Sequence, residues 1–385
     1  MFPDFTNLSI GVGRVDAVGV DADEGVEEKT PPRIEDIPYT HSDYKNIAMA
    51  AVIEDPFAIG RVSPHNKSYI RIAMAAVMKE PYAIEFVDSE VNDDYREVAL
   101  AAVRRNGRAF QWVSHKYKLD REIALTAVDL DPNMLKNVPE IHTNYHEIAL
   151  KAISKDEKVF RHVPLHYKNY TQIALIVVLR QASMLEYVPP YYENYKEIAS
   201  ALVIKAPYQI LNIPPHVKDY MQILLTAVYR DPHVLELVMR DTIHIRDYAN
   251  YKDVALAAVM LDGLTIQYMK SLLQLPLSYY KEVALAAMMQ NGNAIQHVDP
   301  HNKHYREIAL AAVMQNANAI QYVDSRDNKD YKEIALVAVM QNPHAIAYVN
   351  YWHEHYEDIA LAAVMQHPTA ILSMKGPDTK ASVEL

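Results

Sequence analysis

Two blocks of apolar residues, one long and one short, alternate with polar text along most of the chain. In HYREIALAAVMQNANAIQYV (residues 304–323) a polar start gives way to Ile-Ala-Leu-Ala-Ala-Val-Met, then Gln-Asn, then a second block ending in Val. Nearly the same words stand at YYKEVALAAMMQNGNAIQHV and at DYKEIALVAVMQNPHAIAYV. The residue before the Lys/Arg-Glu pair anchors each unit: Tyr44, Tyr69, Tyr95, Asp120, Tyr145, Tyr170, Tyr195, Tyr220, Tyr251, Tyr280, Tyr305, Tyr331 and Tyr356. Of the twelve spacings ten are 25 or 26 residues, and the two long ones, 31 and 29, flank Tyr251. A fixed period in this range is the mark of a repeat architecture.

Each unit reads as two helices. Asp43, Ser68, Asp94, Asn144, Asn169, Asn194, Asp219, Asn250 and Asp330 precede their anchors and are N-cap residue types. Acids or amides such as Glu97, Glu147 and Glu333 follow three residues later, at capping-box spacing. The long block is apolar on nearly every face, which predicts a first helix buried on several sides. Alanine in phase, at the fourth place after the anchor in twelve units, lets helix axes approach closely. Twelve residues past the anchor stands Pro in seven units and Gly in three. Asp55-Pro56, Asp131-Pro132, Asp231-Pro232 and Asn342-Pro343 then read as an N-cap followed by Pro at the first helical position. The second helix is short, about two turns, with apolar pairs such as Ala58-Ile59 and Ala345-Ile346 and a closing Val, Ile or Met. A leucine-rich repeat has a similar period, but it needs leucines alternating along a strand and a ladder Asn, and neither is here. The expected fold is all-α: an α-solenoid of thirteen helical hairpins over residues 41–374, with stacking burying what one hairpin cannot.

Units such as YKEIALVAVMQNPHAIAYV (residues 331–349) resemble a helical repeat family known only as a domain of unknown function, found in bacteria, protists and giant viruses, whose copies read like DKEIVLAAVKQNGLALKYV. The resemblance runs from about residue 43 to 374, with departures at Asp120, Leu224 and the two long spacings. It implies a helical array and no catalytic residues. The Tyr280 and Tyr305 units agree at fifteen of their first twenty positions, a degree of copying easier to reconcile with a binding surface than with one active site.

Charge narrows the range of partners. The net charge is −11, and residues 1–40 carry nine acids against three bases. A binder of phosphate backbones shows the opposite sign. There is no cysteine, hence no disulfide, thiolate metal site or cysteine nucleophile, which fits a reducing compartment. The N-terminal text has neither a basic n-region nor an apolar h-region, so no signal peptide is expected, and no apolar run is long enough for a membrane span. Residues 1–40 read as an acidic arm, with residues 34–39 covering the first repeat, and residues 375–385 as a loose tail.

Three sets of residues carry candidate chemistry. The anchor tyrosines, with Gln290-Asn291, Gln315-Asn316 and Gln341-Asn342, could form an RNA-reading ladder, one base per repeat. A residue present in twelve of thirteen units is more readily a packing requirement, with Tyr seated on the preceding short helix. His65, His216, His301, His304, His353 and His355 are spread over successive loops and lack metal-site convergence, so they read as solvated. The methionine column Met260, Met289, Met314, Met340 and Met365 reads as inter-repeat core in preference to an adaptable binding stripe. Glutamates after the anchors read as capping residues, and no phosphate loop or nucleophile elbow is present. No enzyme activity, cofactor or small-molecule substrate is expected. Residues 240–250 and 271–278 lengthen two units, and their apolar Ile243, Ile245, Tyr248, Leu272, Leu273 and Leu275 are the candidate partner contacts, since insertions in repeat arrays map to one face. The expectation is a cytoplasmic, non-catalytic protein-interaction scaffold. The alternatives are a structural component of a large assembly such as a virus particle, and single-stranded RNA binding.

Overall fold

The computed structural model describes residues 34–90, 94–241, 248–272, 277–326 and 328–374. Among them every regular element is helical. The chain divides into two compact units, one ending at Tyr117 and the other starting at Lys118. The first holds the Tyr44, Tyr69 and Tyr95 repeats, and the second holds the other ten. Within each unit a repeat packs on its neighbours in sequence, first helix on first helix and short helix on short helix, the contact pattern of a solenoid.

The first helix of a regular repeat is eleven residues long and opens on the anchor, as in Tyr305–Gln315. Its anchor and the third, fourth, seventh and eighth residues after it are buried: Tyr305, Ile308, Ala309, Ala312 and Val313 in that copy. This is a helical stripe facing the array, with alanine where two backbones come close. Each fully buried Ile or Val contributes roughly 1.5–3 kcal/mol.

The second helix is a six-residue 3-10 helix, as in Ala317–Tyr322 and Pro343–Tyr348. The caps expected for it are present. Asp55, Asp131, Asp231 and Asn342 each accept a hydrogen bond from the backbone N–H two residues on, at 2.9–3.1 Å. Glu80, Asn106, Asp156, Asn291 and Asn316 do the same without the full Asx-Pro signature.

The caps expected for the first helix are not made. Asp43, Ser68, Asp94, Asn144, Asn169, Asn194, Asp219 and Asp330 form no side-chain cap hydrogen bond. Their backbones sit near φ −100°, ψ 0–20° in most copies, already close to helical, so the side chain does not face the free N–H groups. The turn is closed one step earlier. Asn66, Asn302 and Asn328 accept from the N–H two residues on through Oδ1, and His41, His142 and His353 do so through Nδ1. Asp120 is the exception that proves the geometry: it stands where Tyr is expected, has extended backbone, and caps Glu122 and Ile123 with its carboxylate.

The long units differ in length of helix. Val234–Asp241 is an α-helix where other units have a 3-10 helix, and Gly263–Leu272 is a ten-residue 3-10 helix. Tyr248–Leu261 and Leu277–Gln290 each begin three residues before their anchors. Ile34 is buried on the first repeat in the short helix Ile34–Asp36.

Candidate functional site

Burial assigns the repeated residues to two groups. The twelve anchor tyrosines are between 1 and 8% exposed. In five repeats the phenol oxygen accepts the backbone N–H that follows the short helix of the same repeat: Ser63 to Tyr44, Asp88 to Tyr69, Ser114 to Tyr95, Asp324 to Tyr305 and Asn350 to Tyr331, at 2.7–3.2 Å. In those five repeats the anchor therefore clamps its own hairpin. An anchor also meets the preceding unit, as Tyr170 does at Phe160 with ring centroids 5.4 Å apart. Burial pushes the Tyr95 and Tyr220 phenols up to about 12 and raises those of Tyr145 and Tyr170 as well, so all stay protonated. Rings so enclosed offer no face for a base to stack on.

The glutamates after the anchors are not capping residues; they tie repeats together. Lys252 pairs with Glu282, Lys281 with Glu307, Arg306 with Glu333, and Lys332 with Asp358. In each pair the first residue after one anchor meets the second residue after the next. Arg121–Glu147 repeats the device at the start of the second unit. Hydrogen bonding to the facing cation holds Glu147, Glu307 and Asp358 below the usual carboxylate range. A second ladder runs along the other end of the helix. Gln290, Gln341 and Gln366 donate to the carbonyls of Leu261, Met314 and Met340, and Lys79 and Lys205 to those of Ile53 and Leu179. These repeats thus satisfy carbonyls at the C-terminus of the previous first helix.

The methionine column overturns the expectation of core. Met260, Met289, Met314, Met340 and Met365 are 58–78% exposed. They stand nine residues after the anchor, between the buried seventh and eighth places and the glutamine ladder. The same place is apolar or aromatic and exposed at Ile204 and Tyr229, and at Ile53 and Met78 in the first unit, but Arg104, Asp129 and Ser154 occupy it between. Five residues after the anchor, below the methionines, lie the half-buried leucines Leu256, Leu285, Leu310 and Leu336, and the exposed Leu361. At the Tyr331 repeat, Leu336, Val337 and Met340 line one shallow depression with Lys329, Asp330, Lys332 and Glu333. The candidate site is this face: an apolar stripe five repeats long, roughly 30–40 Å at ordinary helix spacing, bordered by the ion-pair ladder on one side and the glutamine ladder on the other. Periodicity alone misplaced it, because the sequence is apolar at both buried and exposed places. Alanine at the seventh place and valine at the eighth, against the longer, flexible methionine at the ninth, was the available signal.

The histidines divide. His65, His216 and His301 are exposed in loops, whereas His142 and His353 are turn acceptors, and burial lowers the pKa of both. Among the described residues no group of three or more His, Asp or Glu is placed to hold a metal, and no helix is long and apolar enough to cross a membrane. Ile243, Ile245, Leu273 and Leu275 lie outside the described residues. Tyr248 opens one helix and Leu272 closes another, and their side chains are likewise outside the description.

Comparison with curated proteins and with solved structures finds no match. A family model does match twice, each time over two successive repeats and once across the aberrant Asp120 unit. Residues 95–141 and 280–326 fit the domain of unknown function DUF4116, so this chain is an all-helical protein whose array carries repeats matching that family.

Proposed function

We propose that the chain is a non-catalytic protein-interaction scaffold of a reducing compartment such as the cytoplasm, and that it engages protein through the methionine face of residues 251–366. The observation that carries this reading is the run of five exposed methionines in register over leucines, four half-buried and one exposed. Unbranched thioether side chains adapt to varied apolar partners, and a contiguous exposed apolar stripe marks an interaction surface. Charge and the buried tyrosines count against an RNA ladder: the chain is acidic, and the rings are spent on packing.

The test replaces Met289, Met314 and Met340 by Glu together. These side chains are exposed, so circular dichroism and melting temperature stay near those of the parent. Cross-linking capture from the native source, after nuclease treatment, is then run on both proteins. Loss of a specific protein partner from the triple variant supports the reading. Recovery of nuclease-sensitive RNA by both proteins, or identical protein partners, overturns it.

A further inference from the structure

Sulfur is sorted by place along the array. The ninth place after the anchor holds Met260, Met289, Met314, Met340 and Met365 in five successive repeats, all of them exposed. The eighth place, which faces the neighbouring repeat, holds Val259, Met288, Val313, Val339 and Val364 in the same five. The contact between repeats is thus made by a side chain without sulfur in four of the five. Met288 is the exception: it is 0% exposed, while Met289 beside it is 75% exposed. Met134, Met184 and Met269 are buried as well. The chain has no cysteine, so thioethers are its only sulfur.

That sorting has a chemical consequence. A peroxide gives one oxygen atom to an exposed thioether. The O–O bond breaks, an S–O bond forms, the sulfur is oxidised by two electrons, and hydrogen peroxide leaves as water. The product is a polar, chiral sulfoxide. At the ninth place it stands in solvent and breaks no contact between repeats. At Met288 the same reaction would put a polar group into a buried interface. Reduction is the reverse transfer: two thiols of a sulfoxide reductase become a disulfide, and the oxygen leaves as water. With no cysteine, this chain cannot supply those electrons, so they come from a separate thiol enzyme.

We propose that the methionine stripe is a reversible oxidation site. Peroxide converts its thioethers to sulfoxides, the face changes from apolar to polar, and the array stays folded. Because five copies stand in register, the change is graded, one sulfoxide per repeat. Its effect is to release a docked protein, and that part rests on the reading of this face as a protein-binding surface.

The test treats the full chain with limiting hydrogen peroxide and follows each methionine by peptide mass mapping. Met289, Met314 and Met340 are expected to oxidise at least about tenfold faster than Met134, Met184, Met269 and Met288, because a buried thioether reacts only when the fold opens. Met288 and Met289 are adjacent in the chain and serve as an internal control. Retention on a hydrophobic-interaction column is expected to fall, with circular dichroism and melting temperature unchanged. The two reductases, one for each sulfoxide epimer, are expected to restore it. The variant carrying Met289→Leu, Met314→Leu and Met340→Leu keeps an apolar face without sulfur there, and its retention is expected to fall much less. Equal oxidation of buried and exposed methionines, unfolding while only the stripe is oxidised, unchanged retention, or no recovery with the reductases overturns the proposal. Partner capture is then run on the parent before oxidation, after it and after reduction, beside the triple Glu variant. Capture lost on oxidation and regained on reduction supports release. Capture lost in the Glu variant but indifferent to oxidation overturns release and leaves the docking reading standing. Capture unaffected in the Glu variant removes the docking reading, and with it release, while the oxidation rates and column retention still decide the modification site.

Discussion

At the scale of single residues, one backbone N–H decides much of the loop chemistry. In six repeats the residue three before the anchor presents an acceptor to the N–H two positions on, Asn Oδ1 or His Nδ1, whereas Tyr167, Tyr192 and Val217 hold that place in others. Histidine brings a pH dependence that asparagine does not. His142 is buried, and burial lowers its pKa more than the Asp120 backbone and the carboxylates of Asp120 and Glu147 raise it. A protonated Nδ1 can no longer accept. Since the folded pKa lies below the unfolded value of about 6.5, the unfolded chain binds the extra proton first. The stabilising contribution is therefore complete above that value and is lost as pH falls towards the folded pKa. His142→Asn retains the turn and removes the titration. Melting curves between pH 7.5 and 5.5 are expected to fall less steeply for this variant, by roughly 1–2 °C. An unchanged slope would place the acid sensitivity elsewhere.

At the scale of the helix pair, two ladders and an apolar stripe act together. The ion pairs are solvent-exposed, so each is expected to contribute only about 0.2–1 kcal/mol; their effect is to hold register between helices that are otherwise nearly uniform in apolar character. A double-mutant cycle on Arg306→Ala and Glu333→Ala measures this directly. The coupling energy should be within that range at low salt and vanish near 1 M salt, where screening is short-ranged; a coupling unaffected by salt would contradict the surface-pair account. The hairpin was legible in the sequence because the Asp-Pro caps, the alanine column and the apolar pairs each answer to one local requirement. Less legible were features set by the neighbouring repeat. Glu307 looks like a capping residue until the preceding helix places Lys281 beside it, and Met314 looks like core until the seventh and eighth places are seen to fill the interface. The 3-10 form of the second helix is also of this kind, since Pro at the first position and a six-residue length suit either helix.

At the scale of the molecule, the two units are each held together by contacts between sequence neighbours, and stability should therefore be divisible. Removing residues from 350 onwards deletes the Tyr356 repeat and its interface, and leaves Ile346, now 0% exposed, in the position Ile371 holds. The new terminal repeat is like the old one in its apolar face, but not in charge, because Lys332 replaces Glu357 at the ladder place. Two consequences separate this account from that of a single cooperative core. Urea denaturation should show a lower m-value, in proportion to the surface no longer buried, with a modest fall in midpoint. A further cut before Tyr331 should lower both again by a similar step. Loss of all cooperative unfolding after the first cut would mean that the terminal repeat supports the whole unit, and nearest-neighbour stacking would fail as its description.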